Sequence, residues 1–99
     1  MKALIVDDER LARSELKRLL TAVPEVTVVG EAANPAEART RIAALRPDLV
    51  FLDIQMPGGT GLELLETLEP PVPHVIFTTA HDEFAVQAFE LNEIGRAHV

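Results

Sequence analysis

Unbroken apolar runs alternate along this chain with segments in which apolar positions recur every three or four residues, the pattern of βα units built on a parallel sheet. Ala3 to Val6 is the first run. No polar residue alternates through it, so both faces of that strand are expected to be covered. From Glu9 the pattern turns helical, with Leu11, Ala12, Glu15, Leu16, Leu19 and Leu20 read as a stripe at helical spacing and Asp8 placed as the N-cap. After Pro24, Val26 to Val29 predicts a second strand that ends at Gly30-Glu31. Asn34-Pro35-Ala36-Glu37 carries a cap, a proline at the first helical position and a glutamate able to reach back, so a second helix is predicted from there to about Leu45, before Pro47. Leu49 to Asp53 is the third strand. Met56 to Gly61 holds three glycines and reads as a loop, and Leu62, Leu64, Leu65 and Leu68 predict a short third helix that Pro70-Pro71-Val72-Pro73 terminates. His74 to Thr79 is the fourth strand, and Asp82 to Leu91 a fourth helix with Phe84, Ala88 and Phe89 inward.

Three of these strands stop on side chains that carry oxygen: the first on Asp7-Asp8, the third on Asp53 and the fourth on Thr78-Thr79. In a parallel sheet those ends share one edge, where open α/β sheets bind their ligands. Two unit charges about 4 Å apart repel by roughly 4 kcal/mol at an effective dielectric near 20. Converging carboxylates therefore require either a hard cation or a retained proton. A plainer role exists for each residue. Asp7-Asp8 would also neutralise the first helix's dipole, an effect of about 0.3–1 kcal/mol for which one aspartate suffices. Asp53 would serve as a strand terminator, and Thr78 and Thr79, on opposite faces, compete for the same place. Gly58-Gly59-Thr60-Gly61 lacks the lysine of a phosphate-binding P-loop. His74, His81 and His98 show no metal-ligand spacing.

Composition narrows the class. At 99 residues the chain is one small domain, which buries roughly 60–65% of its unfolded surface. Apolar residues make up 47% of it and aromatic residues 4%, so the core must be built from Val, Leu, Ile and Ala with a few Phe. The formal net charge of -7 opposes direct contact with nucleic acid. With no cysteine there is no disulfide and no thiolate metal site, which fits a reducing compartment. The apolar run after Met1-Lys2 is too short for a signal-peptide core, and no run approaches the ~20 residues of a membrane span. The expected location is cytoplasmic.

Asp7-Asp8, Asp53-Ile54-Gln55-Met56-Pro57-Gly58 and Thr79-Ala80, in that order, resemble the receiver domain of bacterial two-component response regulators, the CheY-like domain. The resemblance runs from Met1 to about Asn92. It implies a flavodoxin-like, doubly wound α/β fold in which four βα units are present in strand order 2-1-3-4. It further implies that Asp53 accepts a phosphoryl group and that Asp7, Asp8, Asp53 and the backbone carbonyl of Gln55 hold Mg2+. Thr79 would be the hydroxyl that responds, and a sensor histidine kinase the partner. No enzyme activity is implied beyond the domain's own phosphorylation and dephosphorylation. The stretch from Ala80 to Glu90 most resembles regulators with a LytTR-type DNA-binding output. Two rivals are a receiver-like interaction module that works without phosphorylation and a small Mg2+-dependent aspartyl phosphatase. The phosphatase family places Asp-x-Asp after a strand, whereas Ile54-Gln55 follows Asp53.

The sequence departs from that family at its end. Receivers carry a lysine before a proline on a fifth strand, then a fifth helix, whereas the lysines here are Lys2, at the wrong end of the first strand, and Lys17, in the first helix. Ile94-Gly95-Arg96-Ala97-His98-Val99 can be back-translated as ATC-GGA-AGA-GCA-CAC-GTC, which looks like a sequencing-library adapter read in frame. The expectation is a receiver domain over residues 1–92, truncated before its fifth strand and helix, with a non-native tail at 93–99. The fourth strand would then be an exposed apolar edge, open to self-association.

Overall fold

The computed structural model describes residues 1–53, 55–56 and 59–78. The expectations for Thr79, for the fourth helix with Phe84, Ala88 and Phe89, for His81 and His98, and for the tail at 93–99 lie outside the described residues.

Elements follow one another as β1 (Lys2–Val6), α1 (Arg10–Leu20), β2 (Thr27–Ala32), α2 (Pro35–Leu45), β3 (Leu49–Asp53), β4 (Gln55–Met56), β5 (Gly59–Thr60), α3 (Gly61–Glu66) and β6 (His74–Thr78). Four of the strands form a parallel sheet in the order β2-β1-β3-β6, the expected 2-1-3-4 arrangement. Both sides of this sheet are covered, which is why β1 and β3 are apolar without alternation. Ala3, Ile5, Leu49 and Phe51 pack on one face with Leu16 and Leu20 of α1. Leu4, Val6, Val50 and Leu52 pack on the other with Ala38 of α2 and Leu64 of α3. Within the described residues, no helix is long and apolar enough to cross a membrane.

Local chemistry explains the elements and corrects several expectations. The N-cap of α1 is Glu9, not Asp8, and its side chain makes no capping bond. Asp7 does the related work, its Oδ1 accepting from the backbone N–H of Glu9 at 2.9 Å. Leu11 is 73% exposed rather than part of the buried stripe. It stands five residues before Leu16, and at 3.6 residues per turn that rotates it roughly 140° away from the buried face.

β2 runs to Ala32, beyond the expected end at Val29. Ala3 pairs with Val28 but Leu4 pairs with Gly30, so Val29 is the extra residue of a bulge. Gly30 sits where α2 comes close, since a Cβ there would lie 2.8 Å from Cδ1 of Leu45. Helix α2 starts as expected, with Pro35 at its beginning and Oδ1 of Asn34 accepting from Glu37 N–H at 2.9 Å. Glu37 reaches back one residue further than the cap, to the N–H of Ala33 at 2.9 Å. The helix ends on Arg46, which takes the left-handed conformation at φ 48°.

Part of the expected loop pairs instead. Gln55 pairs with Thr60 and Met56 with Gly59 in a short antiparallel ladder. The α-helical part of α3 closes at Glu66, short of Leu68, and the amides of Thr67 and Leu68 turn back onto the carbonyls of Leu64 and Leu65.

Candidate functional site

Register places the acidic residues. Val6 of β1 lies opposite Leu52 of β3, so Asp7 and Asp53 leave the sheet at the same level. The N–H of Asp7 bonds the carbonyl of Ala32 at 3.0 Å, continuing the β1–β2 ladder one step past Val6. Asp53 in turn pairs with Thr78 of β6. All of this occurs at the C-terminal edge of the sheet, as the strand-end pattern predicted.

Asp7, Asp8 and Asp53 converge there. Each offers a carboxylate oxygen, and these oxygens lie within 4.8 Å of one another. Asp7 is buried, Asp53 half-buried and Asp8 exposed, so the cluster grades from the core out to solvent. Two unit charges at that separation repel by about 3.5 kcal/mol at an effective dielectric near 20, and by about 0.9 kcal/mol in water. An all-oxygen anionic donor set of this size fits a hard divalent cation such as Mg2+, which favours carboxylates and retains several waters. Thr78 is buried at the strand end beside Asp53. Gln55 stands two residues beyond Asp53, in β4.

Behind the carboxylates lies an ionic group that the strand-end pattern does not reveal. Nη1 of Arg13 donates to the backbone carbonyl of Asp7 at 2.8 Å, and its Nε donates to Oε1 of Glu31 at 3.0 Å. Nζ of Lys17 holds the other oxygen of Glu31 at 3.1 Å. Hydrogen bonds from Lys17 and then Arg13 hold the Glu31 carboxyl below its ordinary range, against an opposing contribution from burial. One sequence signal was available. Arg13 stands three residues before Leu16 and seven before Leu20, on the side of α1 that faces the sheet.

The remaining candidates are placed elsewhere. Lys2 lies at the opposite edge, where its Nζ bonds the carbonyl of Leu45 and its N–H bonds Asp48. A cavity of about 980 Å³ opens at that same edge, between the end of α2 and the proline-rich segment before β6. Among the described residues the one group able to hold a metal is at the other end of the sheet. His74 is exposed at the start of β6, at the opposite end of that strand from Thr78 and the carboxylate edge.

The response regulator receiver domain family matches residues 3–95 of the chain. The chain belongs to that family. The transcriptional regulatory protein BtsR of Salmonella typhi is 50% identical over 91 residues, which cover 91% of this chain and 38% of that protein. This receiver domain thus spans about two fifths of the length of the curated relatives it matches. Among solved structures it is similar to the response regulator domain of Thermotoga maritima CheB, with a TM-score of 0.74 and 30% identity, covering 98% of this chain and 74% of that one. It is also similar to a chain of the CheX–CheY–BeF3–Mg2+ complex from Borrelia burgdorferi, with a TM-score of 0.70 and 27% identity, covering 78% of this chain and 60% of that one. The receiver fold, its four-stranded order included, and the acidic cluster at its C-terminal edge are thereby joined in one molecule.

Proposed function

We propose that this receiver domain accepts a phosphoryl group on Asp53 from a sensor histidine kinase or a small phosphodonor, with Mg2+ held by Asp7, Asp8, Asp53 and the backbone carbonyl of Gln55. The observation that carries the reading is the approach of the three carboxylates to within 4.8 Å, with Asp53 neither sealed in the core nor free on the surface. A carboxylate oxygen of Asp53 attacks phosphorus, the donor's bond to phosphorus breaks, and an acyl phosphate is left on the side chain. Such transfers depend on positioning and on neutralisation of charge rather than on covalent help from the protein. Asp7 and Asp8 supply the anchoring charge, and bound Mg2+ would offset the negative charge of both the cluster and the phosphoryl oxygens. The similar chain from Borrelia burgdorferi belongs to a complex that contains BeF3 and Mg2+, which supports Mg2+ as the cation.

Thr79 is proposed as the hydroxyl that engages the phosphoryl group. For the whole regulator we propose transcriptional control through a LytTR-type DNA-binding output, acting in the cytoplasm. The name of the transcriptional regulator from Salmonella typhi supports transcriptional control, and the resemblance of the stretch from Ala80 to Glu90 is the support for the LytTR type. Phosphorylation would act by biasing a two-state surface that the output domain reads.

The test is incubation with Mg2+ and acetyl phosphate, followed by mass spectrometry. Wild type gains an adduct stable in acid and labile in base, and Asp53→Asn does not. Equal labelling of the variant would move the acceptor to another residue. Sustained turnover of an added phosphomonoester would replace the signalling reading with that of a phosphatase.

A further inference from the structure

We propose that Arg13 is a positioning residue for the Mg2+ site, fixing the backbone of Asp7 from behind so that the buried carboxylate meets the other two. This rests on the acidic cluster being the Mg2+ site. Asp7 is the most buried of the three aspartates, so its carboxylate is the least able to swing and its backbone decides where it points. That backbone is tied on both sides. Its N–H bonds the carbonyl of Ala32 on β2 at 3.0 Å, and its carbonyl accepts from Nη1 of Arg13 at 2.8 Å.

Arg13 is itself held. Its side chain is 15% exposed, and its Nε donates to Glu31, the residue before Ala32 in the same strand. One guanidinium therefore links the end of β1 to the end of β2 while rooted in α1. Two different nitrogens make the two contacts, which suits a rigid planar fork and not a point charge. Partners of this kind, which hold a metal-binding residue without touching the metal, typically change metal affinity by about 10–100-fold when removed.

The experiment measures Mg2+ binding by isothermal titration calorimetry, together with thermal unfolding of the metal-free protein, for wild type, Arg13→Gln, Arg13→Lys and Arg18→Gln. Arg13→Lys keeps the charge and loses the planar fork. Arg18→Gln removes the same charge from the same helix at a position whose side chain is 68% exposed and paired with Glu15. The expected result is Mg2+ binding weakened by about 10–100-fold in both Arg13 variants and unchanged in Arg18→Gln. A purely structural role would lower the unfolding temperature of the Arg13 variants and leave the affinity of the folded protein intact, which overturns the proposal. Wild-type affinity in Arg13→Lys also overturns it, because charge and not the fork would then be at work. If wild type itself binds no Mg2+, the reading of the acidic cluster fails first, and this proposal falls with it. Binding by wild type and Arg13→Gln alike sinks the positioning role alone.

Discussion

Replacing Asp8 by asparagine should stabilise the metal-free protein and destabilise the Mg2+-bound one relative to wild type. Asp8 has two charged neighbours, Asp7 and Asp53, with carboxylate oxygens within 4.8 Å. Because Asp8 is exposed, the aqueous value of about 0.9 kcal/mol per pair applies rather than the figure near 3.5 kcal/mol for a half-buried pair. Removing both repulsions is worth about 2 kcal/mol before screening by salt. Asp8 also precedes the first turn of α1, and losing its interaction with the helix dipole costs about 0.3–1 kcal/mol. The net gain is about 1 kcal/mol, and in a domain of this size that raises the unfolding temperature by roughly 4–8 °C. In Mg2+ at a hundred times the wild-type dissociation constant, wild type gains about 2.7 kcal/mol from binding and so overtakes the variant. The assay is thermal unfolding followed by far-UV circular dichroism, in EDTA and in Mg2+. Asp8→Asn melting below wild type in EDTA would refute the electrostatic argument. An equal Mg2+-induced rise in both proteins would remove Asp8 from the ligand set.

Two further outcomes follow from the same structure. Asn34→Ala removes the acceptor for the Glu37 N–H and should cost about 1 kcal/mol, read as a lower midpoint in urea with an unchanged slope. Glu31, held below the ordinary glutamate value of 4.5 by Lys17 and Arg13, binds fewer protons folded than unfolded. Its contribution is therefore complete above about pH 4.5 and is lost as the pH falls through its lowered value, so Glu31→Gln should flatten the acid limb of a stability–pH curve and leave the neutral region's slope unchanged.

Features set by local patterning were legible in the sequence. β1 and β3 are apolar at every interior position because each has a helix layer on both sides, and such a run ending on an acid can be read without knowledge of any partner. The start of α2 was legible for the same reason, since Asn34, Pro35 and Glu37 act on their immediate neighbours. What pairing decides was less visible. Gly30 and Glu31 look like the polar end of a strand, yet hydrogen bonding to β1 carries β2 through them to Ala32. The ladder between Gln55–Met56 and Gly59–Thr60 hides in a glycine-containing segment, because two-residue strands have no period to detect. At the site, the strand ends single out Asp7, Asp8 and Asp53, and the structure brings their carboxylates together. Arg13 and Glu31 escaped because their partnership joins a helix to a strand eighteen positions later. Leu11 falls on the apolar stripe by spacing alone, whereas rotation about the helix axis turns it to solvent.

The surplus residue at Val29 decides which helix Glu31 serves. Up to that point β2 and β1 run in step, Ala3 beside Val28, and afterwards the count is offset by one, so Ile5 lies beside Glu31 and Val6 beside Ala32. Side chains alternate between the two surfaces of a sheet, so a slip of one position inverts everything downstream. Were Val29 paired with Leu4 instead of bulged out, Glu31 would sit next to Val6 and look toward α2, away from the guanidinium of Arg13. Setting one amino acid outside the ladder thus acts as a parity switch. Drawing Val29 into the pairing would swap the inner and outer addresses of three consecutive side chains, and would unmoor the acid cleft without altering a single acidic residue in it, whereas removing Val29 outright would leave Glu31 beside Ile5.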